Sequence, residues 1–313
     1  MKILFFTGKG GVGKSTISAA AAWQLSQRHR VLIISLDPAH NLGDVFGVTL
    51  KDKKYRFSDR LSLREVDLQQ RSREYLTREI TVLTQTYRYL QTINLDNYFS
   101  ILKYSPGIEE YALLTGIEET IRSEEDIDFL IFDTPPTGLT LRFLALPKVT
   151  ITWIDRLLQI RRAILEKRYT IYRIRGPLDD KETLLNYSED DDDAIRRLKA
   201  LRENYQSLCD ILQGKDCGVV IVFNPDVLSL RESQRLIEGL NDLELPLRLM
   251  INNRITERNS IMADHVDGVM KGFAPGVPIG RVSLADQLLD RRDGSLYDIA
   301  EDLSAYFTAG FKE

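Results

Sequence analysis

The sequence has little of what several classes of protein require. Only two of its 313 residues are cysteine, Cys209 and Cys217. Two are too few for a disulfide framework, and their spacing does not match a Cys-x2-Cys zinc pair, so we expect a reducing, cytoplasmic environment and no zinc. No run approaches the ~20 apolar residues of a membrane span. No apolar core follows a charged leader at the N-terminus, so we also expect no signal peptide.

Positive charge is not in excess either. The chain has 42 Lys and Arg against 46 Asp and Glu, a formal net charge of -4. Proteins that bind nucleic acid usually carry a positive field that faces the phosphates. We therefore expect no nucleic acid among the partners.

A glycine-rich stretch near the start of the chain is the strongest positive signal. Residues 8–16 read Gly-Lys-Gly-Gly-Val-Gly-Lys-Ser-Thr, between the apolar run 3–6 and an alanine-rich helical segment at 18–25. A turn from strand to helix is the context that a phosphate-binding loop requires. Glycines let the backbone N–H groups face a polyphosphate, and the positive end of the helix favours the same charge. We call residues 8–16 the phosphate loop.

The side chains of the phosphate loop have distinct expected roles. Lys14 should reach the β- and γ-phosphates, the Ser15 hydroxyl should bind Mg²⁺, and Thr16 should donate to the α-phosphate. The sequence thus predicts a site for ATP or ADP with Mg²⁺. The other residues expected to bind nucleotide in this loop are Gly8, Lys9, Gly10, Gly11, Val12 and Gly13.

Two aspartates directly follow buried strands. The apolar run 31–36 ends at Asp37, and the run 127–132 ends at Asp133. Continuous apolar runs are typical of parallel strands covered on both faces, and their carboxyl ends meet at one edge of the sheet. We expect Asp37 to orient the water that attacks the γ-phosphate, and Asp133 to hold Mg²⁺ directly or through water. His40 has no partner at metal-ligand spacing, so we interpret it as a structural residue of the loop after Asp37.

Two stretches with a helical pattern interrupt the strands, at about 68–125 and 148–215. A nucleotide-binding sheet needs neither of them. We therefore predict one P-loop ATPase domain, 1–313, with an α/β fold. It has a mostly parallel, doubly wound sheet and an α-helical lobe formed by the insertions.

The second insertion has an unusually broad apolar arc. The apolar residues from Val149 to Leu165 cover about 200° of a helical wheel, wider than the ~100° face of a helix packed on one side. Either this helix has two apolar contacts, one with the core and one with a partner or client, or it is simply buried within a helical layer. The acidic run 190–193 is predicted to be a solvated loop.

Polar residues at the ends of later strands supply further candidates. Asn252 and Asn253 follow the apolar strand 247–251. A side-chain amide both donates and accepts, as recognition of adenine requires, although a polar turn at a strand end would look the same. We also assign Pro278, in the loop at 275–280, to the nucleotide site.

A second lysine in the phosphate loop, Lys9, has no role in a general phosphate loop. The sequence here resembles the deviant Walker A motif of the MinD, ParA, nitrogenase-iron-protein and ArsA class. In that class the corresponding lysine reaches into the active site of a partner subunit. The resemblance implies a homodimer that ATP closes, with Lys9 and Lys14 both counted among the catalytic residues.

Three further stretches narrow the resemblance to the ArsA and guided-entry ATPase family, which includes an arsenite-pump ATPase and a factor that targets tail-anchored proteins. They read Asp-Pro-Ala-His-Asn-Leu at 37–42, Pro-Gly-Ile-Glu-Glu at 106–110, and Asp-Thr-Pro-Pro-Thr-Gly-Leu-Thr-Leu-Arg-Phe-Leu at 133–144. The resemblance implies that Asp226 contributes to the nucleotide or dimer site and that Asn252 reads the adenine. It also implies ATP hydrolysis that opens and closes the dimer.

The sequence departs from the family pattern at several points. Leu139 replaces the usual histidine after Asp-Thr-Ala-Pro-Thr-Gly, and Pro135 replaces the alanine. Leucine can neither relay a proton nor bind a metal. The client groove of targeting factors is rich in methionine, and neither insertion of this chain contains one.

The sequence is compatible with three functions. The first is binding and targeting, or chaperoning, of a hydrophobic client helix, with a membrane protein as a possible partner. The second is the energising subunit of an arsenite or anion efflux pump, for which Cys209 and Cys217 are the available thiols. The third is a positioning switch like ParA or MinD.

Overall fold

The computed structural model describes residues 1–39, 41–86, 105–176, 188–284 and 295–309. His40, part of the first helical insertion and part of the second lie outside the described residues. The chain divides into two compact units. We call Met1–Leu144 with Gln213–Glu313 the sheet unit, and Ala145–Leu212 the helical unit.

The sheet unit is built on one sheet, which has eight strands within the described residues, in the order β3-β4-β2-β5-β1-β6-β7-β8. All neighbouring strands are parallel except β3 and β4. The strands are β1 Lys2–Thr7, β2 Val31–Ser35, β3 Tyr55–Arg56, β4 Leu61–Glu65, β5 Phe129–Asp133, β6 Cys217–Phe223, β7 Leu247–Ile255 and β8 Ile279–Ser283. The prediction of a mostly parallel α/β fold is confirmed.

The helices mostly alternate with the strands, as crossover connections between parallel strands require. A single turn of 3₁₀-helix at Glu257–Asn259 precedes the eighth α-helix. The helices are α1 Lys14–Ser26, α2 Asn41–Phe46, α3 Leu68–Thr86, α4 Ile108–Ser123, α5 Thr137–Arg175, α6 Asp193–Gln213, α7 Val227–Asp242, α8 Ser260–Phe273 and α9 Ser304–Ala309.

The central strands are buried along nearly their whole length. Every residue of β2, β5 and β6 is buried, as is all of β1 after Lys2. Continuous burial means that both faces of the sheet are covered, which explains why the sequences of these strands are unbroken apolar runs. Four consecutive alanines in α1, residues 19–22, are fully buried, and side chains this small let the helix approach the sheet closely.

The strand register brings the predicted site residues to one edge of the sheet. Asp133 is opposite Phe6 of β1 and Ser35 of β2. The N–H of Leu36 donates to the Asp133 carbonyl at 2.8 Å. The phosphate loop, Asp37 and Asp133 therefore all lie at the carboxyl ends of adjacent parallel strands.

The helical unit is a helix pair held by one apolar cluster. Ile154, Leu158 and Leu165 of α5 are buried with Ile195 of α6, and Leu198 and Tyr205 pack against them. These α5 residues recur at steps of four and seven, so they form one face of the helix.

A second apolar face of α5 is exposed to solvent. We call it the apolar stripe, and its residues recur at steps of four, four, three, four and seven. Trp153 has 65% of its surface exposed. Burial of the whole apolar arc in a helical layer is therefore wrong. The stripe consists of Val149, Trp153, Leu157, Ile160, Ile164 and Ile171.

The acidic run at 190–193 is not uniformly solvated, contrary to expectation. The side chain of Asp192 is fully buried and bonds the Arg161 guanidinium, with a shortest distance of 2.7 Å. The same carboxylate accepts a hydrogen bond from the Ile195 N–H at 3.0 Å, near the start of α6. Asp192 is thus a helix cap and the partner of Arg161, whereas Asp190, Asp191 and Asp193 are exposed.

Candidate nucleotide site

The phosphate loop connects β1 to α1 in the predicted way. Gly13 precedes α1 with φ of 92°, a left-handed conformation that glycine adopts without strain. At Gly8 a Cβ atom would collide with the carbonyl oxygen of Val222. The loop therefore passes so close to β6 that only glycine fits there.

A cavity of about 380 Å³ opens at this loop. Lys14 is 5% exposed and Asp37 is 8% exposed, so both charges are largely withdrawn from water. Lys9, which is half-buried, does not line this cavity. The lining residues are Gly10, Gly11, Gly13, Lys14, Ser15, Thr16, Asp37, Ala39, Asn41, Val45, Pro136 and Arg254. We call this the phosphate cavity.

A second cavity, of about 370 Å³, adjoins the phosphate cavity. Its walls are mostly apolar, and it shares Gly13, Thr16 and Arg254 with the phosphate cavity. Its other lining residues are Ile17, Asn253, Val282, Ser283, Leu284, Leu296 and Ile299. We call this the apolar cavity.

Asp37 lines the phosphate cavity and also stabilises its own loop. One carboxylate oxygen, Oδ1, accepts a hydrogen bond from the Ala39 N–H at 3.0 Å. A carboxylate that bonds a backbone N–H two residues later holds a tight turn. Asp37 is therefore oriented by its turn while it faces the cavity.

Asp133 is fully buried, and its environment fits a cation. Burial raises the pKa of Asp133 to about 7, while the Ser15 hydroxyl and Lys14 oppose the rise. Neither carboxylate oxygen has a hydrogen bond of good geometry to any described residue. Buried polar atoms are nearly always paired, so unpaired carboxylate oxygens beside a hydroxyl fit a bound Mg²⁺. No cluster of three His, Cys, Asp or Glu that would form an all-protein metal cage occurs in the described part of the chain.

A third carboxylate near the site was not predicted from the sequence. Glu65, at the end of β4, is buried and accepts a hydrogen bond from the Gly43 N–H at 2.8 Å. Its charge also raises the pKa of Asp133. Gly43 lies in α2, the helix that follows the Asp37 loop, so Glu65 holds that helix in place. Its position at the end of a strand is the signal that could have identified it.

The segment after Asp133 is fixed by buried hydroxyl groups. The Thr134 hydroxyl donates to the Phe6 carbonyl at 2.8 Å, and the Thr140 hydroxyl contacts the Pro135 carbonyl at 2.7 Å. Pro136 then reaches the phosphate cavity. Leu139, where the family usually has histidine, is only half-buried.

The two consecutive asparagines differ in position. Asn252 is buried away from both cavities, and its Nδ2 donates to Asp267 of α8 at 2.8 Å. Asn253 lines the apolar cavity, and its Nδ2 donates to the Val12 carbonyl of the phosphate loop at 2.8 Å. Side chains alternate along a strand, so only one of the two could face the cavity. The structure places Asn253 there, and not Asn252.

Two other candidates do not reach the cavities. Pro278 precedes β8, and its carbonyl accepts a hydrogen bond from the Met250 N–H. Pro278 therefore lies at the amino ends of the parallel strands, whereas the phosphate loop lies at their carboxyl ends. Asp226 is the N-cap of α7 and accepts from the Ser229 N–H at 2.8 Å. It lines neither cavity.

The two cysteines are both buried. Burial raises the pKa of Cys209, and burial raises the pKa of Cys217 to about 12. A thiol binds metals and metalloids as the thiolate. At neutral pH both side chains are therefore protonated thiols, which are poorer ligands than thiolates.

The parallel sheet, the phosphate loop and the carboxylates at its edge define a P-loop nucleoside triphosphatase. The chain belongs to the ArsA family, whose model, described as anion-transporting ATPase, matches residues 1–266. The resemblance inferred from the sequence motifs is confirmed. The protein is an ATPase of this family.

Its curated relatives carry two kinds of name. A putative arsenical pump-driving ATPase 2 of Aquifex aeolicus is 29% identical, over 83% of this chain and 82% of the relative. A second Aquifex aeolicus protein, putative arsenical pump-driving ATPase 1, is 31% identical, over 92% of this chain and 75% of its own length. ATPase get3 of Schizosaccharomyces pombe is 33% identical, over 82% of this chain and 74% of its own length. Among the described helices, none has the continuous apolar length of a membrane-spanning segment.

Proposed function

We propose that this ATPase uses hydrolysis of MgATP to open and close a homodimer that binds and targets a hydrophobic, tail-anchored-like client helix. The hydrophobic client is inferred from one observation, the apolar stripe on α5. Monomeric soluble proteins rarely expose contiguous apolar surface unless it binds something. Between Val149 and Ile164 the steps are of three and four residues, the spacing by which helices recognise one another. A charged turn with Lys167 and Arg168 separates this part from Ile171.

The stripe has the dimensions of a membrane segment. From Val149 to Ile171 there are 22 residue steps, which in an α-helix extend about 33 Å. The hydrocarbon core of a bilayer is about 30 Å thick, so a client helix that spans a membrane has about the same length. Arg156 borders the stripe, whereas Lys167 lies within it, in the turn between Ile164 and Ile171. The long stem of each side chain can lie along apolar surface while its charge stays in water.

At the nucleotide site we assign the phosphates to the phosphate cavity and the adenine to the apolar cavity. Lys14 binds the β- and γ-phosphates, and Asn253, rather than Asn252, lies beside the base. Ser15 and Asp133 would hold Mg²⁺, which when bound neutralises negative charge on the phosphates.

Asp37 orients the attacking water. The water oxygen forms a bond to the γ-phosphorus as the bond from that phosphorus to the β–γ bridging oxygen breaks, which yields ADP and inorganic phosphate. Asp37→Asn keeps the size of the side chain but replaces the charged carboxylate with a neutral amide. We expect this variant to bind ATP with unchanged affinity and to lose at least about 100-fold in kcat. An unchanged turnover rate would refute the role of Asp37.

Client binding is tested by making the stripe polar. We expect the triple variant Leu157→Ser, Ile160→Ser, Ile164→Ser to hydrolyse ATP normally and to lose capture of a synthetic tail-anchor peptide in a pull-down. The matched control is Gln159→Ser, Glu166→Ser, Thr170→Ser, which changes three exposed polar residues of the same helix. Equal capture by both triple variants would defeat the proposal, and circular dichroism checks that each is folded.

A second candidate, the energising subunit of an arsenite pump, is favoured by the names of several relatives. It requires that Cys209 or Cys217 bind the metalloid. Because both thiols are buried with raised pKa values, we expect arsenite and antimonite to leave the ATPase rate unchanged. Stimulation of the wild type that disappears in the Cys209→Ser, Cys217→Ser variant would favour the pump instead.

A further inference from the structure

Arg254 has an unusual backbone conformation. Within the described residues only two residues other than glycine have positive φ, Glu244 and Arg254, both at 59°. Glu244 directly follows Leu243, the C-cap of α7, where the left-handed conformation commonly ends a helix. Arg254 lies inside β7, where no helix end accounts for it. Residues other than glycine are strained in this conformation, and strained residues of this kind are concentrated at functional sites.

The strain accompanies an irregularity in the sheet. The pairing of β7 with β8 shifts register between Asn252 and Ile255, the two residues that flank Asn253 and Arg254. The Asn259 side chain donates to the Arg254 carbonyl at 3.0 Å and supports the distorted backbone. Bulges of this kind redirect a side chain, and they are frequent beside active sites.

The redirected side chain lies where the two cavities meet. Arg254 lines both the phosphate cavity and the apolar cavity, and it shares that position with Gly13 and Thr16. Arg254 is exposed, and its guanidinium has no hydrogen bond or ion pair to any residue in the described ranges. A nucleotide with its base in one cavity and its terminal phosphates in the other passes its α-phosphate through this junction.

We propose that Arg254 binds the α-phosphate of the nucleotide. The proposal rests on the assignment of the two cavities given above. A guanidinium presents a planar set of N–H donors that matches phosphate oxygens, and it stays charged at any working pH. Because ATP and ADP share the α-phosphate, Arg254 stabilises both equally, and it does not distinguish the nucleotide states of the cycle.

The test compares three ligands with three variants. Arg254→Asn removes the charge but keeps a residue that tolerates positive φ, Arg254→Lys keeps the charge, and Arg258→Asn is a matched control at an exposed arginine that lines neither cavity. Titration calorimetry gives Kd for MgATP, MgADP and adenosine. We expect Arg254→Asn to raise Kd about tenfold for both nucleotides and to leave adenosine unchanged, because a hydrogen bond to a charged group is lost. Arg254→Lys should recover part of the affinity, and Arg258→Asn should match the wild type.

Three results would overturn the proposal. A larger loss for ATP than for ADP would place Arg254 at the γ-phosphate. An equal loss for adenosine would mean that the substitution had distorted the cavity, and no loss for either nucleotide would mean no contact. Wild-type protein that failed to bind MgATP would overturn the proposed function as well, whereas a failure confined to Arg254→Asn leaves that function intact.

Discussion

At the scale of single residues, two of the three buried carboxylates at the site, Glu65 and Asp133, have different environments. Glu65 accepts a hydrogen bond from the Gly43 N–H, whereas Asp133 has no hydrogen bond of good geometry from the described residues. A buried carboxylate that already accepts from backbone is satisfied, and one that does not requires another partner. Glu65 therefore has a structural role, and the unpaired oxygens of Asp133 support the cation site proposed above.

This distinction predicts how magnesium affects nucleotide binding. In wild-type protein, Mg²⁺ should tighten ATP binding relative to the same titration in EDTA. In Asp133→Asn, Mg²⁺ should increase the affinity for ATP about tenfold less than it does in the wild type, because the charge that attracts the cation is gone. Glu65→Gln keeps an oxygen acceptor for the Gly43 N–H and should retain the gain. If Asp133→Asn still responded fully to Mg²⁺, the assignment of Asp133 would be wrong.

At the scale of elements, Asp192 links the two helices of the helical unit. Its carboxylate is fully buried, bonds Arg161 of α5 and caps α6 at the Ile195 N–H. The Arg161 guanidinium and the helix N–H groups lower the pKa of Asp192 below its ordinary value of 3.8. A lowered pKa means that the carboxylate stabilises the fold above pH 4 or so and that this contribution is lost as the pH falls through the lowered value.

Replacement of Asp192 should therefore destabilise the protein. Arg161 keeps some exposure to water, so we expect Asp192→Ala to lower the free energy of unfolding by about 2–3 kcal/mol, between the values for exposed and for buried pairs. Asp190→Ala is the matched control, since Asp190 belongs to the same acidic run but is exposed. Its effect should stay within about 0.5 kcal/mol. Urea unfolding at pH 7 measures both, and equal effects would contradict the distinction.

The elements that the sequence predicts best are those with a local cause. β1, the phosphate loop and α1 follow from an apolar run, four glycines and a helical segment within 26 residues of chain. The position of Asp133 at the end of β5 could be predicted because it directly follows a run of apolar residues. In each case the residues that determine the structure are neighbours in the chain.

The features that the sequence does not specify have a non-local cause. The burial of Asp192 depends on Arg161, 31 residues away, and an acidic run gives no sign of such a partner. The choice between Asn252 and Asn253 depends on one step of strand register, which places Asn252 beside Asp267 of α8. The strained backbone of Arg254 depends on the pairing of β7 with β8. Composition and periodicity cannot specify these contacts.

At the scale of the whole molecule, one helix carries both ends of the proposed cycle. α5 begins at Thr137, directly after Pro136 of the phosphate cavity, and it also contains the apolar stripe. The family histidine that could couple the two is Leu139 here, so any coupling must use other groups. The hydrogen bond between the Thr140 and Thr134 hydroxyls, 2.9 Å long, joins the first turn of α5 to the end of β5.

The dimer itself is best tested through Lys9, which does not line the phosphate cavity of its own chain. If Lys9 acts in the partner's site, Lys9→Ala and Asp37→Asn are each inactive as homodimers, but a mixed dimer contains one complete site. That site combines Asp37 of the Lys9→Ala chain with Lys9 of the Asp37→Asn chain. Random mixing makes half of the dimers mixed, with one of two sites active, so about a quarter of the wild-type rate should return.

The opposite arrangement makes a different prediction for the same mixture. If Lys9 served the site of its own chain, each site in a mixed dimer would lack either Lys9 or Asp37, and no activity would return. Lys53→Ala, at an exposed lysine outside both cavities, controls for the loss of one positive charge and should stay active. ATP should also raise the mass of Asp37→Asn in solution to twice that of the 35.9-kDa chain, because binding without hydrolysis holds the dimer closed. A single-chain mass at saturating ATP would contradict the dimer, and no restored rate despite a doubled mass would contradict only the role of Lys9.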